Sequence, residues 1–228
     1  MNTKDDYFWK FLKVRPESYR LSPTTSFPLV DPLDENFEPP TQLIDFKQAL
    51  TRLKREEGPV GFGVHFYMKD IYLEQFTRNF DKYVDELKRA RCVLTPDYSI
   101  VHGMTPIEKM NAISQSRKFG QLMQEAGVTV VTTLQWGDPE TFGYCFADVP
   151  KNNVVSISTV GIAKLKAGSW GREVFRLGCQ EAVKQLKPRL ILLYGSLTPE
   201  CEFGDTPYRV YPNSHYPRGL KRKEVVNG

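Results

Sequence analysis

The sequence has no hydrophobic run approaching the roughly 20 residues that a helix needs to cross a bilayer. Its first ten residues, M-N-T-K-D-D-Y-F-W-K, lack the apolar core of a signal peptide. A membrane partner is therefore not expected, and the reading is a cytoplasmic protein. The four cysteines, Cys92, Cys145, Cys179 and Cys201, form no C-x-x-C pair and fall beside or inside apolar segments. Free buried thiols are expected there rather than a disulfide framework. His65, His102 and His215 are equally scattered, so any metal would have to be held mostly by carboxylates. Also missing are a G-x-x-x-x-G-K-[ST] loop, a glycine-rich fingerprint after the first strand, a G-x-S-x-G elbow and an H-E-x-x-H helix. P-loop, dinucleotide, serine hydrolase and zincin chemistries are set aside on that ground.

What is present fits one large domain with extended ends: 228 residues, 40% hydrophobic and 25% charged. The formal net charge of +4 is concentrated at one end. Thr206 to Gly228 holds Arg209, Arg218, Lys221, Arg222 and Lys223 against Glu224 alone, which leaves the first 205 residues balanced. A fold that wraps nucleic acid is not indicated, whereas a basic tail that touches phosphate is.

The chain divides into an arm over residues 1–41, an α/β domain over 42–200 and a basic tail over 201–228. Six prolines and the aromatics Tyr7, Phe8, Trp9, Phe11 and Phe27 mark the arm, which is read as extended and lying on the domain, or else binding a protein partner. Leu43, Phe46, Leu50 and Leu53 at helical spacing predict a helix from Thr41 to Gly58, and Val60 to Tyr67 a first strand. A helix from Ile71 to Ala90 leads into a short strand, Cys92 to Thr95. Thr105-Pro106-Ile107-Glu108 is a capping box that starts a helix running to Ala126. The β-branched run Val128 to Gln135 reads as a buried parallel strand, with Asp138-Pro139 capping a short helix through Phe146. Strand Val154 to Val160, helix Trp170 to Lys187 and strand Leu190 to Tyr194 complete the series. Five βα units with uninterrupted alternation predict a parallel sheet, either an open doubly wound sheet or an incomplete TIM-like barrel.

Either form places its ligands at the carboxyl ends of its strands. That edge would display Asp70, Asp97 with Tyr98 and Ser99, Trp136 with Asp138 and Glu140, Ser158 with Thr159, and Tyr194 with Ser196. Asp97, Asp138 and Glu140 are the catalytic candidates, as acid and base or as ligands of Mg²⁺ or a similar cation. Asp138 is equally a helix-cap residue, because Pro139 follows it. Trp136 either stacks on a base or sugar or lids the core, the commoner use of an indole at a strand end. His65 reads as a sheet-face histidine, and His102, in a polar loop, as the titrating one. Arg117 is either solvated or paired with an edge carboxylate.

Thr95-Pro96-Asp97-Tyr98-Ser99, Asn111 with Arg117, Gln135-Trp136, Tyr144-Cys145-Phe146, Ser158-Thr159 and Leu193-Tyr194-Gly195 occur in an order that resembles an uncharacterised family of bacteria, plasmids and phages, domain of unknown function 4417. The resemblance spans about Pro59 to Ser196. It implies a phage or mobile-element setting, supplies no activity, and favours Asp97, Arg117 and Trp136 as positions to test. Two functions follow as expectations. One is a carboxylate-lined site acting hydrolytically on a nucleotide, nucleic acid or glycosidic substrate. The other is a non-catalytic accessory protein that binds DNA or a protein partner through the aromatic arm and the tail residues Arg218, Lys221, Arg222 and Lys223.

Overall fold

The computed structural model describes residues 19–101 and 103–213. The aromatic run Tyr7 to Phe11, His102 and the tail residues Arg218, Lys221, Arg222 and Lys223 lie outside them. In order, the elements are β1 (Leu43–Asp45), α1 (Phe46–Leu53), β2 (Gly63–His65), α2 (Asp70–Arg78), α3 (Phe80–Leu87), β3 (Cys92–Leu94) and α4 (Pro106–Glu125). Then follow β4 (Val130–Thr133), α5 (Phe142–Cys145) after a 3-10 turn, β5 (Val154–Ser158), α6 (Trp170–Leu186), β6 (Leu190–Tyr194) and β7 (Tyr208–Tyr211). All neighbours pair in parallel, in the unbroken order β1 to β7.

That order decides between the two expected forms. A doubly wound sheet reverses direction at a switch point, and this one does not. The sheet also curls. Strands β2 and β6 lie four places apart, about 19 Å in a flat sheet at 4.8 Å per strand. Yet the rings of His65 and Tyr194 are 3.9 Å apart, and Tyr67 stacks on Tyr194 at 5.3 Å. The fold is a parallel α/β barrel of seven strands, short of the eight that close a full one. At the seam between β7 and β1, the Tyr211 hydroxyl donates to the Pro40 carbonyl at 2.8 Å.

Alternate residues of each strand point inward. Leu43, Cys92, Leu94, Val131, Val154, Leu192, Tyr194 and Tyr211 fill the barrel. The intervening residues meet the helices in two outer cores, one built on Phe46, Phe76 and Phe119 and the other on Phe146, Phe175 and Leu186. Gly63 is needed inside, where a Cβ would come within 2.7 Å of Leu43 and 3.0 Å of Cys92.

The expected βα alternation is interrupted twice. The long helix after β2 is two helices, because the Asn79 side chain donates to the Gln75 carbonyl and competes with the backbone pattern. Between β6 and β7 there is no helix. The connection is held to α6 by the ion pairs Arg172–Glu200 (3.0 Å) and Arg176–Glu202 (3.1 Å), with Phe203 buried in the core. Leu43 to Asp45, expected to be helical, is a strand. Asp45 ends it by accepting from the amides of Lys47 and Gln48, which starts α1 at once.

Residues 19–41 contain no helix and cross the N-terminal end of the barrel as a strap. Leu33 and Phe37 pack against the barrel interior from below. Side chains of the barrel hold the strap by its backbone: Gln121 bonds Arg20 and Leu29, Gln124 bonds Asp31, Asn153 accepts from Leu33, and Arg189 donates to Asp34 and Glu35. A cleft of about 380 Å³ beside the strap, lined by Leu33, Phe37, Arg91 and Gln124, is on this end, away from the strand termini that carry the candidate site.

Candidate site at the barrel mouth

At the opposite end the interior becomes polar. Gly63, His65 and Tyr67 share one face by strand alternation, so the end of β2 delivers an imidazole and a phenol to the barrel axis. His65 Nδ1 accepts from the Tyr67 amide at 3.2 Å. The Tyr67 hydroxyl lies 2.7 Å from Ser156 Oγ, and Ser156 donates its only proton to the Leu192 carbonyl at 3.0 Å. Tyr67 is therefore the donor of that pair. Burial pushes its phenol up and keeps it neutral.

Above this aromatic floor stands Asp97, in the loop after β3. Burial, and then the charge of Asp70, push its carboxyl up to about 7, with a hydrogen bond from Gln135 acting the other way. Asp70 is the first residue of α2 and is held by Ser99, which donates its hydroxyl at 2.9 Å and its amide at 3.3 Å. The Gln135 amide donates to the Tyr98 carbonyl at 2.7 Å and so ties the end of β4 to the Asp97 loop. Burial raises the Tyr98 phenol as well, with Asp70 adding to it. Tyr194 donates to Asn213 at 3.3 Å on the far side of the mouth. Two carboxyl groups, one titrating near neutrality, over neutral phenols can give and take protons from a polar ligand.

The other expected site residues are placed differently. Asp138 forms an ion pair with the buried Lys109 of α4, and its second oxygen is buried without a hydrogen-bond partner. Glu140 is exposed in the 3-10 turn. Trp136 leaves the mouth and lies on α6, stacked on Phe175 at 5.5 Å over Gly178, where a Cβ would come within 2.1 Å of the indole. Arg117 is neither solvated nor paired with an edge carboxylate. It is buried and donates to the carbonyls of Cys145 and Ala147 at the end of α5, which need donors there. Its guanidinium sits 5.3 Å over Phe27 of the strap, and burial lowers its pKa to about 10. Ser158 accepts from the Val160 amide, and Ser196 is exposed, with its amide bound to Thr159.

The structure thus brings together Asp70, Asp97, Tyr98, Ser99 and Tyr194 of the expected set, and adds His65, Tyr67 and Gln135. The signal for His65 and Tyr67 was the alternation within V-G-F-G-V-H-F-Y, which puts both on one face without saying which face is inward. Among the described residues, no group of three or more His, Cys, Asp or Glu side chains is placed to hold a metal ion, so the expected carboxylate cage for a divalent cation is not assembled by Asp97, Asp138 and Glu140. No helix among them is long and apolar enough to cross a membrane. Cys92, Cys145 and Cys179 are free and buried, and Cys201 is free and half-buried.

A family model described as Domain of unknown function (DUF4417) matches residues 22–211. The chain is 33% identical over 153 residues to a protein of Mycobacterium phage L5, covering 67% of this chain and 65% of the relative. It is 31% identical over 166 residues to one of Mycobacterium phage D29, covering 72% and 59%. Both are named only "Gene 1 protein", and the chain spans less than two thirds of the length of each. No solved structure gives a significant match.

Proposed function

The chain belongs to the DUF4417 family, which includes it from strap to β7, and we propose that it binds a neutral polar molecule, a glycoside or nucleoside, at the barrel mouth, with Asp97 exchanging the proton. The observation that carries this reading is the Asp97 carboxyl, raised to about 7 by burial and by Asp70, at the carboxyl ends of parallel strands. A group that titrates near the working pH is suited to both halves of a proton-transfer cycle. Asp70 keeps the mouth acidic, which disfavours a free phosphate and favours ligands that offer hydroxyl or amino donors. The phenols of Tyr67, Tyr98 and Tyr194 supply flat faces and hydroxyls for a ring. Hydrolysis of a glycosidic bond is the reaction that such a carboxyl pair serves.

The test is a thermal-shift screen against sugars, nucleosides and their phosphates, with and without Mg²⁺, on the native chain and on Asp97→Asn and Asp70→Asn. A ligand that binds only the folded state raises the melting temperature by mass action. The expected result is a shift with a neutral ligand that Asp97→Asn abolishes. If no compound shifts the native chain, or the shift survives both substitutions, the mouth is not the site. The function then moves to partner binding through the arm and tail.

A further inference from the structure

The barrel wall is unfinished at the seam. Among the described strands β7 pairs with β6 alone and β1 with β2 alone, so these two are the edges of the sheet. The carbonyls of Pro207 and Tyr211 accept from the amides of Ile191 and Gly195, which turns Pro207, Arg209 and Tyr211 toward β6. Backbone groups alternate sides along a strand, so the amides and carbonyls of Tyr208 and Val210 face the seam. Leu43 faces it from β1 by the same rule, since the Gln42 carbonyl accepts from Gly63 of β2. A row of such groups on an edge is a template for one more strand.

The side chains of β7 are open to solvent on both faces of the sheet. Tyr211 points into the barrel, so Arg209 shares its inward direction. Leu192, its register partner on β6, is 0% exposed, whereas Arg209 is exposed. On the outer face Tyr208 and Val210 are 39% and 38% exposed, because no helix joins β6 to β7. Where that helix would lie there is a groove of about 700 Å³ lined by Val183, Lys184, Phe203 and Tyr208.

We propose that the seam takes up an extended segment of a partner protein as a further parallel strand, with a carboxylate side chain of that segment facing Arg209. Charge chooses this occupant over a second copy of the chain. Two copies joined edge to edge through β7 would run antiparallel about a two-fold axis, each exchanging hydrogen bonds between its Tyr208 and the other's Val210. That register sets the two Arg209 residues directly opposite each other, about 4.5 Å apart at Cα, where like charges repel. Among the described residues no carboxylate forms an ion pair with Arg209, whose guanidinium lies 5.7 Å from the Tyr211 ring. An acidic strand supplies both the backbone ladder and the counter-charge. Apolar side chains on its other face extend the surface of Tyr208 and Val210. This surface is on the wall of the barrel, so it stands whether or not the mouth binds a glycoside or nucleoside.

The probe is a fluorescein-labelled hexapeptide, Val-Thr-Val-Glu-Val-Thr, titrated onto the full-length chain by fluorescence anisotropy beside a version with lysine in place of glutamate. The expected result is saturable binding of the acidic peptide, several-fold weaker for the lysine version. Arg209→Glu should reverse that preference, which a charge effect elsewhere on the surface would not do. Val210→Pro removes a seam-facing amide and spares those that bond β6, a place where an edge strand accepts proline. It should keep the melting temperature and lose the peptide. No binding of the acidic peptide by the native chain, or a preference that Arg209→Glu leaves unchanged, overturns the proposal. A native chain that sediments as a dimer and becomes monomeric in Val210→Pro overturns it too, in favour of a second copy at the edge.

Discussion

The two ends of the barrel solve opposite problems with similar material. At the N-terminal end the strap is held by side chains that each satisfy backbone groups, and apolar Leu33 and Phe37 point inward. At the C-terminal end carboxyls face each other, a histidine and phenols fill the axis, and apolar residues point to solvent. The first arrangement lowers the energy of the fold. The second raises it locally, which proteins tolerate where binding or chemistry repays the cost. Similar residue types therefore mean stability at one end and, in the function proposed above, a site at the other, which is where parallel barrels generally carry theirs.

If this division holds, damage at one end should leave the other unmoved. The largest effect is expected from Arg117→Met, which leaves the Cys145 and Ala147 carbonyls without their charged donor and should cost about 3 kcal/mol in urea unfolding. The Asp97 titration, followed by carboxyl NMR, should stay near 7 in that variant; a movement of a full unit would mean that the ends are coupled. Arg189→Ala is next, at about 2 kcal/mol, because both strap carbonyls lose one guanidinium. Hydrogen exchange should quicken at residues 31–37 and stay unchanged at Asp97 to Ser99.

At the mouth the sign reverses. Folding raises the Asp97 pKa to about 7. Between the ordinary aspartate range and 7 the folded chain holds a proton that the unfolded chain has lost, so this group's contribution falls as pH rises through that window. Asp97→Asn should leave stability unchanged near pH 4 and raise it at pH 8 by about 1–2 kcal/mol, reduced from the full shift because the residue keeps some contact with solvent. Equal effects at both pH values would contradict the raised pKa. The smallest effect, about 1 kcal/mol, is expected from Tyr211→Phe, which removes the hydrogen bond from β7 to the Pro40 carbonyl across the seam. A cost of several kcal/mol there would show that the seam holds the barrel shut.

Much of the barrel was legible in the sequence because local chemistry dictated it. The Thr105–Glu108 capping box forms as spelled, and Leu190–Tyr194 is the strand its composition suggests. Leu43 to Asp45 was hidden because Leu43 stands at helical spacing from Phe46 and Leu50, and only the neighbouring β2 makes it a strand. Tyr208 to Tyr211, placed by the sequence reading in the tail, pairs along its length with β6. Its exposed residues gave no apolar run to detect. Asp97 was legible because no helix follows it to claim its carboxyl. Asp138 was ambiguous for the opposite reason, and Lys109, a helical turn into α4, is a partner that no local pattern announces.

The strap also sets an order of events during synthesis. Its partners follow it by 101 residues at Gln121, 120 at Asn153 and 155 at Arg189. At 5 to 20 residues per second, the strap waits roughly 8 to 30 s after its own synthesis for the last of them. Phe27, Val30, Leu33 and Phe37 have no finished surface to cover in that interval. A segment made before all seven strands is thus seated late, and it can seat fully only on a barrel that has reached Arg189 at the start of β6.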